Sequence, residues 1–237
     1  MAWICFQCSS RYDVRPAWCV VCMSAGSVIL EPRRPPSAVA GALQTASARD
    51  LVARTWTLVA SAPYPELRLL RGALVALYGP PGAGKSTMLL RLLDGLARPV
   101  VLVSAEERLG PAVGERLSRL GIHRPDFHVI GQGGVDDVVA FARRVRADAL
   151  GLDSVSATPI QPSELRRFME AAGVGILAAT VQVTKAGLPA GSNTLLHEAD
   201  AVVHVEDMKW HVEKSRYQAT GLSGSVLTVG VSDGDKS

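Results

Sequence analysis

The amino-acid sequence predicts an α/β protein in which a mainly parallel sheet, with helices on both faces, follows a small N-terminal metal-binding module. Three observations support this prediction. All 4 cysteines of the chain lie within the first 22 residues, as two CxxC pairs. A glycine-rich loop stands between an apolar strand-like segment and an amphipathic helix-like segment. Beyond that loop, short apolar segments alternate with segments of helical periodicity, which is the pattern of a parallel sheet.

The cysteines have the spacing of a tetrahedral zinc site. Cys5 and Cys8 form one pair and Cys19 and Cys22 the other, so that each pair can hold one side of a Zn²⁺ ion. Buried structural thiols or a thioredoxin-like redox pair are the alternatives, although neither requires two pairs at this spacing. We expect a structural zinc ribbon, because four thiolates would leave no open coordination position for catalysis.

Strands and helices alternate from Gly72 onward. The predicted strands are short apolar runs at residues 75–78, 100–103, 127–130, 149–152, 175–181 and 201–205. The predicted helices have apolar residues spaced three or four apart, at residues 88–96, 111–120 and 135–145, with another opened by Pro162. Segments 211–214 and 225–229 alternate between polar and apolar residues, which predicts antiparallel strands.

The glycine-rich loop has the sequence of a phosphate-binding loop that would take ATP with Mg²⁺. Its glycines allow backbone N–H groups to surround a phosphate, and the following helix directs its positive N-terminus at the same anion. Lys85 is expected to span the β- and γ-phosphates, and the Ser86 hydroxyl to bind Mg²⁺. A chance glycine-rich turn is the alternative. The predicted nucleotide-binding residues are Gly79, Pro80, Pro81, Gly82, Ala83, Gly84, Lys85, Ser86 and Thr87.

Three carboxylates are candidates for the chemistry of hydrolysis. Asp153 ends an apolar strand, where a Walker B carboxylate would support Mg²⁺, although it could instead cap a helix or turn. Hydrolysis also needs a carboxylate that polarises the attacking water. Glu106 and Glu107 follow the strand that ends at Ser104. We expect one of this pair to be structural and predict Glu106 as the base; solvated surface positions are the alternative.

A polar, glycine-rich segment follows the strand predicted at residues 175–181. Gln182 is positioned to sense a γ-phosphate, and Thr184 and Lys185 to reach a ligand, but an ordinary surface loop fits these residues equally well. The histidines are scattered and unpaired with cysteines, so we expect packing or surface roles for them: His123, His128, His197, His204 and His211.

Composition limits the partners. With 237 residues, 48% hydrophobic and 20% charged, the chain has room for one α/β domain and a small appendage. The formal net charge is only +3, so any nucleic-acid surface must be local. The longest apolar run is shorter than a membrane span, and clustered CxxC pairs without a signal peptide favour metal over disulfides. We therefore expect a cytoplasmic protein without membrane association.

These motifs together resemble the bacterial RadA (Sms) family of DNA-repair ATPases, a branch of the RecA-like recombinases related to hexameric helicases. The shared features are Trp18 between the cysteine pairs, Ser86-Thr-Met-Leu-Leu90 after the phosphate loop, Ser104-Ala-Glu-Glu107, Asp153-Ser154, Gln182-Val-Thr-Lys-Ala-Gly187 and the stretch from Leu195 to Asp200. The resemblance implies a RecA-like ATPase core that forms a homo-oligomeric ring, such as a hexamer, on single-stranded DNA. Family members drive branch migration in recombinational repair, and a replicative helicase or recombinase is a further expected partner.

The resemblance also extends to the C-terminal part of the chain. Lys214-Ser-Arg-Tyr-Gln218 falls where the family has Lys-Asn-Arg-Phe-Gly. By resemblance, Thr184, Lys185, Lys214 and Arg216 reach toward DNA or a neighbouring subunit. The chain is expected to be a short, divergent relative without the family's Lon-protease-like C-terminal domain. The expected parts are a zinc ribbon at residues 1–30, a proline-rich linker at 31–54 and the ATPase domain at 55–237.

The leading hypothesis is therefore a zinc-containing ATPase, stimulated by single-stranded DNA, that acts in recombinational repair. A second hypothesis is a nucleotide-gated adaptor with little motor activity, whose ribbon binds a replicative helicase or another repair protein. A third is a degenerate relative that binds nucleotide but barely hydrolyses it. DNA-stimulated ATPase activity separates the first hypothesis from the others.

Overall fold

A computed structural model describes residues 3–5, 11–12, 28–30, 47–48, 57–61, 63–96, 98–183, 193–218 and 220–227. The chain divides into two compact units, Met1–Arg54 and Thr55–Ser237. In the first unit, β1 (Trp3–Cys5), β2 (Arg11–Tyr12) and β3 (Val28–Leu30) form an antiparallel sheet in the order β2-β1-β3.

The predicted zinc ligands and most of the predicted linker lie outside this description. Cys8, Cys19 and Cys22 are not among the described residues, and for Cys5 only the strand position is described. Of the linker, residues 47–48 are described. The zinc ribbon and the linker therefore stay predictions.

The second unit is built on an eight-stranded sheet in the order β13-β12-β11-β6-β10-β9-β7-β8. Its parallel strands are β6 (Ala73–Gly79), β7 (Val100–Ser104), β8 (Phe127–Ile130), β9 (Ala149–Asp153), β10 (Ile176–Gln182) and β11 (Ala201–Glu206). Two antiparallel strands, β12 (Lys209–Ser215) and β13 (Ser223–Ser225), continue the sheet beyond β11. A separate hairpin of β4 (Leu58–Ser61) and β5 (Tyr64–Leu70), which the sequence analysis did not predict, precedes the sheet.

Helices cover both faces of the sheet, as predicted. They are α1 (Lys85–Asp94), α2 (Pro111–Arg119), α3 (Val135–Arg144), α4 (Leu165–Ala172) and α5 (Asn193–Glu198). Side chains of α1 and α2 pack against one face, whereas side chains of α3, α4 and α5 pack against the other. The helix predicted to open at Pro162 begins with a short 3-10 turn, Pro162–Glu164, before α4. None of the helices in the described ranges is both long and apolar enough to cross a membrane.

The strand order brings the carboxyl ends of several strands together at one end of the sheet. Strand β6 lies between β10 and β11, and β9 lies between β10 and β7. The register pairs Gly79 with Gln182 and Ser104 with Asp153, so the carboxyl ends of four parallel strands lie side by side. In open α/β sheets, ligands bind at the carboxyl ends of the strands, at the point where the strand order reverses.

Candidate nucleotide-binding site

The phosphate loop joins β6 to α1, and two of its glycines have positive φ and close contacts with the β11–β12 hairpin. Gly79 has φ +152°, and a Cβ there would lie 1.9 Å from the carbonyl oxygen of Val205. Gly84 has φ +103°, and a Cβ there would lie 2.6 Å from the sulfur of Met208. At Gly79 both the dihedral angle and the space beside β11 select glycine, whereas at Gly84 the dihedral angle does so.

Lys85 lies across its own loop. Its ammonium group donates hydrogen bonds to the carbonyl oxygens of Gly79 (2.9 Å) and Pro80 (2.8 Å). Burial lowers the pKa of Lys85, while the negative charges of Asp153 and Glu106 oppose that shift. A phosphate bound in the loop would compete with these carbonyls for the ammonium group.

Asp153 receives hydroxyl donors from two elements. The Ser86 hydroxyl donates to Asp153 Oδ1 over 3.1 Å, and the Thr180 hydroxyl donates to the same oxygen over 2.7 Å. Burial raises the pKa of Asp153, although the hydrogen bonds from Thr180 and Ser86 act in the opposite direction. Hydroxyl and carboxylate oxygens are hard ligands of the type that Mg²⁺ prefers. Ser86 and Asp153 are therefore placed to hold Mg²⁺ together, directly or through water.

Glu106 lies at the centre of a second group of polar side chains. Glu106 Oε1 accepts a hydrogen bond from Gln182 Nε2 over 2.7 Å and another, close one from the Ser154 hydroxyl. The main-chain N–H groups of Ala105 and Glu106 donate to the Asp153 carbonyl at 2.9 and 3.3 Å. The structure thus brings together the ends of β7, β9 and β10.

Glu107 faces a different partner. Its two carboxylate oxygens accept hydrogen bonds from Arg116 of α2, at 2.8 and 2.7 Å. Such a two-point ion pair fixes the orientation of both groups. The two adjacent glutamates are therefore divided: Glu106 contacts Gln182 and Ser154, whereas Glu107 is held by an arginine.

A groove of about 820 Å³ opens beside the phosphate loop. Besides loop residues, its lining includes three arginines and three apolar side chains: Arg91, Arg116, Arg119, Leu120, Met208 and Leu227. None of these six residues belongs to a motif that the sequence pattern reveals. Arg91 lies on α1 and Arg119 on α2, and only the packing of the two helices brings them to one groove. Helix-surface arginines carry no local signal that distinguishes them from solvated ones.

The residues predicted to contact DNA or a neighbouring subunit fall into two groups. Thr184 and Lys185 lie outside the described residues. Lys214 donates to the carbonyl oxygens of Leu196 (3.0 Å) and His197 (2.6 Å), and its pKa is lowered by burial and by nearby Arg216.

Arg216 is bound within the same chain. Its guanidinium pairs with Asp200 over 3.1 Å, leaving 53% of the Arg216 side chain exposed. Asp200 also accepts hydrogen bonds from Arg166 (2.8 Å) and from the N–H of Leu74 (2.9 Å). These contacts lie at the amino ends of β6 and β11. The phosphate loop follows the carboxyl end of β6, so Lys214 and Arg216 are at the opposite end of the strands from it.

The chain is similar to several curated proteins named DNA repair protein RadA. It is 26% identical over 181 residues to the Bacillus subtilis protein, a match that covers 69% of this chain and 39% of the relative. It is 29% identical over 177 residues to the Streptococcus pneumoniae protein, covering 68% and 42%. The resemblance inferred from the motifs is confirmed. The chain spans about two fifths of the length of the curated relatives it matches, and no protein-family model matches it.

Among solved structures, the chain is similar to a KaiC-like protein of Pyrococcus horikoshii. The TM-score is 0.50 at 19% sequence identity, and the match covers 71% of this chain and 94% of the other. At this identity the likeness concerns the fold alone. The predicted α/β core, a mainly parallel sheet with helices on both faces, is confirmed at the level of the fold.

Proposed function

We propose that this protein is an ATPase that binds single-stranded DNA and acts in recombinational repair, including branch migration. One observation carries the proposal. The carboxyl ends of four parallel strands bring together a phosphate loop with its lysine, the Ser86–Asp153 pair and the Glu106–Gln182 pair. Similarity to proteins named DNA repair protein RadA supports the same proposal.

The first step would be binding of the triphosphate. Lys85 would exchange the carbonyls of Gly79 and Pro80 for phosphate oxygens, and the N-terminus of α1 would add its partial positive charge. Mg²⁺, when bound, neutralises charge on the β- and γ-phosphates. Ser86 and Asp153 would hold that ion. The neighbouring groove, with arginines and apolar side chains together, has a volume and lining suited to the rest of a nucleotide.

Hydrolysis would use Glu106 as the general base. Its carboxylate would accept a proton from the attacking water, as phosphoryl transfer to water requires. Gln182 and Ser154 donate to the same oxygen, Oε1, so they fix the direction of the carboxylate. Glu107, held by Arg116, would position the turn and the groove without touching the water.

Gln182 would couple this chemistry to DNA. It ends β10, and Thr184 and Lys185 follow it two and three residues later in the chain. A change at Glu106 after loss of the γ-phosphate would move Gln182 and, through it, the DNA-contacting segment. Lys214 and Arg216, at the opposite edge of the sheet, would serve DNA or a neighbouring subunit of a ring.

The deciding experiment measures ATP hydrolysis by the full chain with and without single-stranded DNA. We expect stimulation that weakens as salt increases, because phosphate contacts release counterions. Lys85→Ala should abolish turnover, and Arg167→Ala, on the exposed side of α4, serves as the matched control. Unchanged hydrolysis by Lys85→Ala would reject the site.

The second candidate is a nucleotide-gated adaptor whose zinc ribbon binds a replicative helicase or another repair protein. The intramolecular contacts of Lys214 and Arg216 favour this candidate, since both cations are already paired. Slow turnover that is indifferent to DNA, together with stable binding to such a partner, would decide for the adaptor.

A further inference from the structure

Two histidines that are separate in the sequence meet on the sheet. His204 of β11 lies directly opposite His211 of β12, and their ring centroids are 4.8 Å apart. Glu213 is two residues beyond His211, so it projects from the same face of β12. His211 Nε2 and Glu213 Oε1 are 3.3 Å apart. Three potential metal-binding side chains therefore share one face of the sheet, on the adjacent strands β11 and β12.

The spacing of these side chains suits one small ion. One ligand atom from each of His204, His211 and Glu213 lies within 4.8 Å of the others. A tetrahedral ion with bonds of about 2.1 Å needs donor atoms roughly 3.4 Å apart. The His211–Glu213 separation already meets this requirement. Since 46% of the His211 side chain and 41% of the Glu213 side chain are exposed, small rotations can bring the remaining separations to the same value.

We propose that His204, His211 and Glu213 bind a divalent transition-metal ion, with Zn²⁺ the best match. Two imidazoles and one carboxylate form a donor set that suits Zn²⁺ and its neighbours in the first transition row, whereas Mg²⁺ and Ca²⁺ prefer oxygen ligands alone. Three protein ligands leave a fourth position for water or another small ligand. This site is separate from the four cysteines and from the Ser86–Asp153 pair.

Tyr78 of β6 completes the surroundings of the site. Its ring centroid lies 4.7 Å from that of His204, which restricts rotation of the imidazole. Burial raises the pKa of Tyr78, and a hydrogen bond with Glu213 and the negative charge of Glu213 raise it further. Metal-binding carboxylates are commonly held in this way by a hydrogen bond from outside the coordination shell.

The site is linked to the phosphate loop by short connections. Tyr78 directly precedes Gly79. The turn between β11 and β12 carries Met208, whose N–H donates to the Ala83 carbonyl over 3.1 Å and whose side chain lies over Gly84. An ion that joins β11 to β12 would therefore stiffen the hairpin whose turn contacts the loop. The predicted effect is stabilisation of the folded domain by the metal.

The test compares Zn²⁺ binding by the parent chain and by its variants His211→Ala and His123→Ala, using calorimetry and equilibrium dialysis. His123 is an exposed histidine outside strands β11 and β12 and provides the matched control. Zinc held by the cysteines is common to all three proteins, so the difference between them reports only the histidine-dependent ion. We expect the parent and His123→Ala to bind one equivalent more than His211→Ala, or to bind it at least tenfold more tightly. Equal binding by all three proteins would overturn the proposal.

A second measurement is independent of stoichiometry. Added Zn²⁺ should raise the melting temperature of the parent and should shift the imidazole NMR signals of His204 and His211. Glu213→Gln, which keeps the size of the side chain, should bind the ion more weakly and reduce the gain in melting temperature. A gain as large in Glu213→Gln and His211→Ala as in the parent would contradict the assignment, as would imidazole signals that do not respond to Zn²⁺.

Discussion

Gln182 donates a hydrogen bond from Nε2 to Glu106 Oε1 over 2.7 Å, which joins the end of β10 to the turn after β7. The two residues are 76 positions apart in the chain. Their contact depends on the strand order, in which β9 lies between β10 and β7. The Ser154 hydroxyl, directly after β9, closes the gap by donating to the same carboxylate oxygen. One carboxylate therefore receives hydrogen bonds from residues at the ends of β9 and β10.

Removing the amide should separate nucleotide binding from hydrolysis. We expect Gln182→Ala to bind ATP as the parent does but to hydrolyse it at least tenfold more slowly, because Glu106 loses a donor that directs it. Stimulation by single-stranded DNA should be lost as well. Steady-state ATPase assays and nucleotide-binding titrations measure both effects, with the exposed Gln161→Ala as control. If single-stranded DNA still stimulated Gln182→Ala, ATP hydrolysis and DNA binding would be coupled through residues other than Gln182.

The two adjacent glutamates should respond differently to the same substitution. Glu106→Gln is expected to slow ATP turnover by about 10²-fold or more, as is typical for loss of a general base. Glu107→Gln removes one partner of the ion pair with Arg116, in which 31% of the Glu107 side chain is exposed. We therefore expect it to lower the free energy of unfolding by about 1 kcal/mol or less and to retain most of the activity. Single-turnover kinetics and urea unfolding test the pair, and equal loss of turnover in both variants would contradict this division.

The charged side chain of Asp153 should lower the free energy of unfolding at neutral pH. Burial raises its pKa in the folded protein, so between the unfolded value, about 3.9, and the folded value the folded state holds more of the proton. Stability from this group is therefore greatest at low pH and declines as the pH rises through that window. We expect Asp153→Asn to have a higher free energy of unfolding than the parent at pH 7, with a difference that shrinks as the pH falls toward about 4. Urea unfolding across this range measures it.

The same variant should lose function while it gains stability. Asp153→Asn removes the charge that we propose supports Mg²⁺, so ATP hydrolysis should fall sharply at every Mg²⁺ concentration. A variant that is less stable than the parent at pH 7 would show that the hydrogen bonds from Ser86 and Thr180 outweigh the cost of burial.

The cysteine quartet should hold zinc independently of the nucleotide site. We expect Cys19→Ser to bind one equivalent of Zn²⁺ less than the parent, measured by mass spectrometry under native conditions. ATP binding should persist, because the phosphate loop belongs to the separate compact unit Thr55–Ser237. Unchanged zinc content in Cys19→Ser would reject the ribbon.

Local sequence accounted for much of the sheet. The apolar runs that predicted β6, β7, β9 and β10 are continuous because these strands are buried on both faces, and such runs are recognisable without any partner. The hairpin of β4 and β5 was missed. The buried positions of β5 include Tyr64, Leu67 and Leu69, with a proline and charged residues between them, so its pattern is irregular. Its end at Leu70 also depends on pairing with Leu58.

Packing or surface roles were expected for all the histidines, and their scattered positions gave no sign that His204 and His211 are in contact. Nothing in the spacing of six intervening residues indicates that the rings face each other. A turn at Asp207 and Met208, both with positive φ, sets their pairing, because the register runs without interruption from the turn to Val203 and Val212. A shift of one residue in the register of β11 and β12 would place the two rings on opposite faces of the sheet.

The sequence by itself determined the phosphate loop, the strand-ending carboxylate Asp153 and the glutamate pair, because each is recognised from its immediate neighbours in the chain. The tertiary structure decided how these parts are connected. It placed Glu106 beside Gln182 and Glu107 beside Arg116, and it paired His204 with His211. It also placed Lys214 and Arg216 at the amino ends of the strands, away from the phosphate loop. Those contacts join segments distant in the chain, and their geometry follows from strand order and register, which depend on the packing of the whole domain and not on local periodicity.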